Sequence, residues 1–396
     1  MGLTSMIANF GNTLWFYFLP IYYFEVFDAS PVEITIVFAV WYTIAALGSA
    51  PAGALADSIG RKKVVVISSL ISSGSIFVFA FSNSFIISAI ALPLSGLGSA
   101  FFRVSNTLVA ESVEASKRGS AFGKYQALSG TAAAISPIIG GITISANGYF
   151  PLFIIGATFT LFAALARMAL LTETLRVPMR AKISIGWRNI TSFAGRFRFL
   201  FSNRTFFALV LIYSLYNMIV EQNSPITSLY ARTVLGFDLT NLGVLFSGVL
   251  LIIAVSRFGF GKMADRIGLK KTVLISFVGE MTVVYVFVFA PKEEPIVAII
   301  GMAFWMLFGV MDAPAIIAWI AELSPDDKTR GFSMGVFFSA TSIPTVPALV
   351  LSGVLFSIQP QFPFYANTLL GIVALLLLLR VPRQRAQEKP AGSVKT

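Results

Sequence analysis

The chain has 396 residues, of which 56% are hydrophobic and only 12% are charged. Soluble domains carry about 25% charged residues, and a mean hydropathy of +0.82 exceeds what a water-soluble core can hold. The absence of cysteine and histidine excludes disulfides, thiol catalysis and ordinary zinc sites. We therefore expect a membrane protein without a cofactor or metal, in which any proton-linked step uses Asp or Glu.

The apolar runs predict an all-α membrane fold. A spanning helix needs about 20 apolar residues, and the sequence supplies roughly a dozen such runs. The predicted spans of the first half are 4–27, 33–56, 64–82, 85–108, 120–145 and 151–171. Those of the second half are 205–231, 240–260, 272–290, 295–320, 331–356 and 363–380.

The net charge of +11 is distributed unevenly. Nearly every Lys and Arg falls at alternate connections, and the opposite side carries Asp28, Glu33, Asp238, Glu293 and Glu294. This asymmetry predicts a multi-pass protein of the cell (plasma) membrane with both termini in the cytoplasm. The basic side is expected to contact anionic lipid, and we expect no nucleic-acid partner.

The predicted domains are a six-helix bundle at 1–171, a linker at 172–204, a second six-helix bundle at 205–380 and a basic tail at 381–396. In the linker, apolar residues recur at helical spacing with arginines between them. This pattern is typical of an amphipathic segment that lies flat on the cytoplasmic surface of the membrane.

Two short polar motifs occur at equivalent places in the two halves. The hinge Gly53-Ala-Leu-Ala-Asp57-Ser-Ile-Gly60-Arg61-Lys62-Lys63 returns as Gly261-Lys-Met-Ala-Asp265-Arg266-Ile-Gly268-Leu-Lys270-Lys271. Glu111 and Arg118 follow the fourth predicted span, and Glu322 and Arg330 follow the tenth. Paired motifs of this kind indicate two copies of one six-span unit in parallel repeat.

These residues resemble the motifs of the major facilitator superfamily, a family of twelve-span secondary transporters. Asp57, Gly60 and Arg61 match the family's motif between spans two and three, and Ser136-Pro137-Ile-Ile-Gly140-Gly141 is similar to its motif in span five. Ser136 replaces a glycine usual in drug antiporters, and Leu92 replaces an arginine of many proton-linked antiporters. The resemblance implies two pseudo-repeated bundles, and the subfamily stays open.

In this family the hinge cluster joins the two halves on the cytoplasmic side. The resemblance therefore implies a latch that favours the outward-open state. We expect the first copy to be the stronger one, because Leu269 replaces Arg61 in the second. Its residues are Gly53, Asp57, Gly60, Arg61, Glu111 and Arg118, with Asp265, Arg266, Glu322 and Arg330 from the second copy. Glycines at 53 and 60 permit close helix approach and a tight reversal, and Asp57 is expected to accept backbone N–H bonds at a helix N-terminus. The alternative is that these charged residues only determine the orientation of the spans in the membrane.

Polar side chains at helical spacing mark the spans that line the central cavity in the family. The predicted cavity residues are Asn9, Asn12, Trp15, Arg103, Asn106, Tyr213, Asn217, Glu221, Trp305 and Asp312. Burial makes the charged form of a carboxylate costly, so Glu221 and Asp312 are candidates for proton coupling. Arg103 is a candidate for holding an anionic substrate group or for serving as the counter-ion of one of these acids, with snorkelling towards the interface as the alternative.

Three further ionisable residues lie within predicted spans. Glu280 occupies the middle of span nine, on a helix that family geometry places at the periphery, and is either protonated or paired with a neighbouring helix. Arg167 and Arg257 are expected to snorkel towards the inner interface.

The predicted function is secondary active transport of a small organic solute by rocker-switch alternating access, coupled to protons, in a monomer. No nucleotide-binding loop is present to support an ATP-driven pump. Multidrug-type proton antiport is the alternative, and a non-transporting sensor on the same fold is a weaker one. An intramembrane enzyme is disfavoured because no catalytic constellation is present.

Overall fold

The computed structural model describes residues 1–114, 118–174, 202–292, 294–323 and 330–381. Within these ranges it describes side chains except at positions 50, 110, 118–123, 220–224, 257–259, 261–262 and 330–332. The described residues form helices and no strand. Most of the predicted linker and the tail beyond residue 381 lie outside the described residues.

Helices α1 to α9 make up the N-terminal half. They are α1 Gly2–Phe16, α2 Leu19–Phe27, α3 Pro31–Leu47, α4 Ser49–Ile59, α5 Arg61–Phe81, α6 Phe85–Phe102, α7 Val104–Glu111, α8 Arg118–Asn147 and α9 Tyr149–Leu170. Helices α10 to α17 make up the C-terminal half. They are α10 Arg204–Thr233, α11 Leu239–Ile267, α12 Leu269–Val288, α13 Pro295–Met311, α14 Ala313–Leu323, α15 Arg330–Ser342, α16 Thr345–Ile358 and α17 Phe362–Arg380.

Each of the predicted spans corresponds to one helix or to two consecutive helices. Among the described residues, nine helical segments are long and apolar enough to cross a membrane, and Pro31–Leu47 with Pro51–Ile59 forms a tenth if the bent pair is one span. The remaining two predicted spans correspond to α1 with α2 and to α10. The all-α membrane fold expected from the sequence is confirmed.

Prolines account for several of the interruptions, since proline removes a backbone donor and its ring displaces the preceding turn. Pro20 stands in the first turn of α2, and Pro344 lies between α15 and α16. Pro314 follows the interruption at Asp312. Pro225 instead lies inside the continuous helix α10.

The two hinge motifs adopt the same backbone conformation. Gly60 has φ 108° and ψ 148°, and Gly268 has φ 91° and ψ 149°. This region is essentially restricted to glycine, so the tight reversal predicted at Gly60 is present in both copies. An added Cβ at Gly53 would meet nothing within 4 Å, so close helix approach does not require glycine there in this conformation.

The apolar core divides into three clusters. One end of the molecule has a cluster with residues of both halves, and the other end has one cluster from each half. The largest contains residues of both halves and lies at the end opposite the hinge motifs, which we call the seal end. At the hinge end, which we call the latch end, one cluster belongs to the N-terminal half and another to the C-terminal half. The halves thus share a core at one end and have separate cores at the other.

Close helix contacts hold the halves together at the seal end. A Cβ at Gly141 of α8 would lie 2.2 Å from the backbone oxygen of Leu239 in α11, and one at Gly243 would lie 2.5 Å from that of Pro137. Gly140 faces the other way, against α1, where a Cβ would lie 2.3 Å from the backbone oxygen of Leu14. The span-five motif therefore fits α8 between α1 of its own half and α11 of the other.

Two further contacts complete the seal. Helix α3 packs on α16, where a Cβ at Gly353 would lie 2.7 Å from the backbone oxygen of Pro31. Glu25 at the end of α2 forms a 2.6 Å ion pair with Arg232 of α10 and accepts a hydrogen bond from the Tyr149 hydroxyl. These residues connect the halves through both apolar and charged contacts.

Replacing Gly141 with alanine should loosen this seal, because the added methyl group meets backbone atoms that have no rotamer to change. Overpacking of this kind typically costs about 1–3 kcal/mol. A Ser247→Cys reporter, at a hydroxyl that accepts a 2.9 Å bond from the Ile138 amide across the interface, should react faster with a maleimide in Gly141→Ala. Gly248→Ala is the matched control, since a Cβ there meets nothing within 4 Å. Equal labelling rates in the two variants would contradict the packing account.

Candidate functional site

A cavity of about 250 Å³ lies within the N-terminal half. Its lining combines aromatic rings with hydroxyl and amide groups and one guanidinium. The lining residues are Ala8, Asn9, Asn12, Thr13, Trp15, Phe16, Tyr17, Trp41, Ser68, Ser69, Ser72, Ser95, Ser99, Phe102, Thr160 and Arg167. They come from α1 with its C-cap Tyr17, and from α3, α5, α6 and α9.

Three of the predicted cavity residues line this space. Asn9, Asn12 and Trp15 lie on one face of α1. The Asn12 amide group donates a 2.9 Å hydrogen bond to the backbone oxygen of Ala8. The indole N–H of Trp15 is buried and has no partner among the described residues, so it is available as a donor beside the cavity.

Arg103 and Asn106 do not line the cavity. Arg103 stands at the interruption between α6 and α7, and both side chains are exposed. They continue the helical stripe that begins with Ser95 and Ser99, which do line it. The structure thus places the predicted span-four residues nearer the latch end than the cavity.

In the C-terminal half, Asp312 is the centre of a buried polar cluster. Its carboxylate accepts a 2.6 Å hydrogen bond from the Tyr213 hydroxyl, and only 3% of the residue is exposed. Tyr216 donates a 2.9 Å bond to the backbone oxygen of Gly309 and stacks on Phe277. Tyr213 of span seven and Asp312 of span ten, both predicted from their polar stripes, are therefore in direct contact.

Glu280 belongs to the same cluster. It is 4% exposed and faces span ten rather than the periphery, with Tyr216 and Trp305 in hydrogen-bonding reach of its carboxylate. One carboxylate oxygen, Oε2, has no partner among the described residues. Trp305 itself packs on Phe287 and Phe364, so one ring is both a core residue and a neighbour of a buried acid.

Two other predicted residues of span seven remain outside this cluster. Asn217 is half-buried on α10, between Tyr216 and the position of Glu221. The side chain of Glu221 lies outside the described residues, so its role in coupling stays a prediction.

At the latch end, Arg61 forms two ion pairs within the predicted latch. Its guanidinium lies 3.1 Å from Asp57 and 3.0 Å from Glu111. The Arg61 side chain is 12% exposed, whereas Asp57 is 54% exposed. All three residues belong to the N-terminal half, and the cluster remains formed while the halves share their core at the opposite end.

The expected role of Asp57 at a helix N-terminus is wrong. Glu173 accepts the free backbone N–H groups of α5 instead, at 2.9 Å from Arg61 N and 3.2 Å from Lys62 N. Asp57 lies one turn before Arg61, where the ion pair holds it away from those amides. Sequence reasoning missed Glu173 because the contact joins segments more than a hundred residues apart.

The second copy of the latch has different contacts. Asp265, Arg266 and Glu322 are exposed, and no ion pair joins them within the described part of the chain. Lys270 instead donates to the backbone oxygens of Leu379 and Val381, which ties α12 to the end of α17. The side chains of Arg118 and Arg330 lie outside the described residues.

Comparison with known proteins assigns the family. The model of the Major Facilitator Superfamily matches residues 1–258 and 223–395. The chain belongs to this superfamily. It is therefore a membrane transporter and not an enzyme, as the sequence motifs imply.

Members of the superfamily with curated descriptions include multidrug resistance proteins. The chain is 25% identical over 333 residues to Multidrug resistance protein 1 of Bacillus subtilis (strain 168), covering 83% of this chain and 82% of the relative. It is 26% identical over 280 residues to Multidrug resistance protein MdtG of Proteus mirabilis (strain HI4320), covering 68% and 67%. The fold is similar to that of the peptide transporter POT solved with sulfate, with a TM-score of 0.74 at 16% identity over 96% of this chain and 92% of that one.

The snorkelling predicted for Arg167 in this superfamily member is wrong. Arg167 is 1% exposed and points into the N-terminal half, where it donates to Ser69 and, at 3.2 Å, to the Ser5 hydroxyl. A signal for this environment was present in the serine-rich run of span three, where Ser68, Ser69, Ser72 and Ser73 recur at helical spacing. The side chain of Arg257 lies outside the described residues.

The latch contacts should differ in strength according to their burial. Exposed ion pairs four residues apart on a helix contribute about 0.3–0.5 kcal/mol, whereas the Arg61–Glu111 pair is less exposed and joins two helices. We expect Glu111→Gln to lower the melting temperature of the purified protein more than Asp57→Asn, with about 1 kcal/mol lost in the former. Asp28→Asn, at an exposed acid with φ 51°, is the control. A larger loss in Asp57→Asn would contradict this ranking.

Proposed function

We propose that this protein is a proton-coupled secondary transporter that moves a small organic solute by rocker-switch alternating access. The observation that carries the proposal is the unequal division of the core. Both halves share one apolar cluster at the seal end and keep separate clusters at the latch end. In a rocker-switch transporter, the two halves pack together at one end of the molecule while they separate at the other.

In this proposal the latch end faces the cytoplasm of the cell, in line with its excess of Lys and Arg. The conformation described is then closed to the outside. The Arg61 cluster is poised to meet the C-terminal half when the seal opens, which would favour the outward-open state. The protein works as a monomer of two bundles, 1–171 and 205–380, and its basic face contacts anionic lipid.

Proton coupling is assigned to the buried acids of the C-terminal half. An ionised carboxylate that is buried within the membrane loses its hydration, which costs free energy. Protonation neutralises the carboxylate and removes that cost. Asp312 has the structural features of such a group because it is buried, bonded to Tyr213 and located at a helix interruption in span ten. Glu221 remains the second candidate.

Multidrug-type proton antiport is the alternative function. The names of the Bacillus subtilis and Proteus mirabilis relatives favour it. It differs in the charge and size of the solute, since drug antiport calls for amphipathic cations rather than small metabolites. A panel that contains both classes of solute separates these readings.

Proteoliposomes with the pH-sensitive dye pyranine trapped inside test the coupling. Organic carboxylates, zwitterions and amphipathic cations such as ethidium are added in turn, and internal pH is recorded. In Asp312→Asn we expect loss of solute-driven proton movement, while exchange of labelled solute across the membrane continues. Asp28→Asn, an exposed acid outside the cavity, should behave as the unmodified protein. Undiminished proton movement in Asp312→Asn would contradict the role of Asp312.

A further inference from the structure

The cavity of the N-terminal half contains a cation without an acidic partner. Arg167 is almost completely buried, and neither Asp nor Glu occurs among the residues that line the cavity. Its described partners are neutral, being the hydroxyls of Ser69 and Ser5 and, at 3.4 Å, the backbone oxygen of Thr4. An ionised group buried among neutral partners is costly, so an anion that enters the cavity would relieve the cost.

The guanidinium also keeps donor capacity for a ligand. Its Nε has no partner among the described residues. One face of the guanidinium lies over the ring of Phe102, with Cζ 4.9 Å from the ring centroid. Stacking of this kind fixes the plane of the guanidinium, and a fixed plane is suited to paired N–H bonds with a carboxylate.

The rest of the lining supplies donors rather than negative charge. The hydroxyls of Ser68, Ser72 and Ser99 line the cavity. The unpartnered indole N–H of Trp15 lies at the same cavity. Hydroxyl, indole and guanidinium groups all donate to anionic oxygens.

The size and the apolar part of the cavity restrict the ligand further. Drug-sized ligands occupy pockets of about 300–1,000 Å³, and this cavity holds about 250 Å³. Trp15, Trp41 and Phe102 provide aromatic walls beside the polar groups. The space therefore suits a small molecule with one anionic group and a compact apolar or aromatic body.

We infer that the N-terminal cavity is a binding site for a small organic carboxylate, with Arg167 as the residue that holds its anionic group. This inference rests on the proposed transport function and names the substrate class. The sequence suggests Arg103 of span four as the residue that recognises the anion. This inference assigns that role to Arg167 of span six instead. It also makes amphipathic cations poor ligands, because they would meet the Arg167 charge at short range.

Binding is measured on the full chain in neutral detergent free of anionic lipid, by calorimetry and thermal shift. The probes share one ring and differ in charge: benzoate is the anion, benzamide is neutral and benzylammonium is the cation. Benzoate should bind and raise the melting temperature, and the other two should bind at least about tenfold more weakly. Equal binding of all three probes would overturn the inference.

Variants locate the site. Arg167→Met should reduce benzoate affinity by about tenfold or more, and without ligand it should melt no lower than the unmodified protein, because it removes a buried unpaired charge. Arg380→Met, at an exposed arginine that ends α17, should bind benzoate within about twofold of normal. Loss of affinity in Arg103→Met but not in Arg167→Met would overturn the assignment.

A second pair of variants keeps the test decisive if Arg167→Met does not fold. Ser99 lines the cavity and is exposed, so the position tolerates another polar side chain. Ser99→Asp should abolish benzoate binding by placing a negative charge in the cavity, and Ser99→Asn, of equal size, should retain it. Benzoate affinity that is unchanged in Ser99→Asp overturns the inference.

Measuring benzoate flux as well as benzoate binding shows whether a negative result contradicts this inference or the proposed transport function. Benzoate that binds through Arg167 but is never moved across proteoliposomes would contradict transport of this class while leaving the site in place. Solute-driven proton movement with benzoate binding indifferent to Arg167→Met would leave transport in place and overturn the site.

Discussion

The contact of α8 with α1 on one side and α11 on the other is the constraint on which the rest of the structure depends. Gly140 and Gly141 leave no room for a Cβ, since the backbone oxygens of Leu14 and Leu239 already occupy that space. Helices in a membrane associate through such packing because lipid removes the hydrophobic driving force between them. Among the described residues, the closest backbone contacts between the halves lie towards the seal end, and the apolar clusters of the latch end belong to one half each.

Buried charge is distributed unequally between the halves. The N-terminal half buries the cation Arg167 among hydroxyl groups, and the C-terminal half buries Asp312 and Glu280 among tyrosines and Trp305. Neither set neutralises the other through a direct ion pair in the described residues. Ionisable groups are expensive in a membrane and mark functional sites. In our proposal the N-terminal half recognises the solute and the C-terminal half exchanges the proton.

Hydropathy was sufficient to predict the spans. The interruption at Asp312 follows from Pro314, and the reversal at Gly60 follows from a glycine that precedes a run of cations. The Arg61–Glu111 pair was also predictable, because opposite charges at the same end of neighbouring spans come close together. These features are local, or they depend only on the order of the spans.

The environments of Arg167 and Glu280 could not be predicted in the same way. Each lies within an apolar run, and the residues on either side are equally hydrophobic, so the pattern does not show which helix face is buried. Glu173 capped α5 in place of Asp57 for a similar reason, since its position depends on how the chain leaves α9. The decisive information in all three cases is the packing angle of one helix on another.

A single spectroscopic measurement tests the alternating-access account most directly. Because the chain has no cysteine, Ser145→Cys and Thr240→Cys, whose hydroxyls lie 3.0 Å apart across the seal, can form a unique disulfide. Spin labels attached through unnatural amino acids at Ser112 and Leu323, at equivalent latch-end positions of the two halves, report their separation in lipid nanodiscs. The account predicts a short and a long distance population in the reduced protein, with the short population lost on oxidation and restored by reductant. A short population that persists in the cross-linked protein would contradict it.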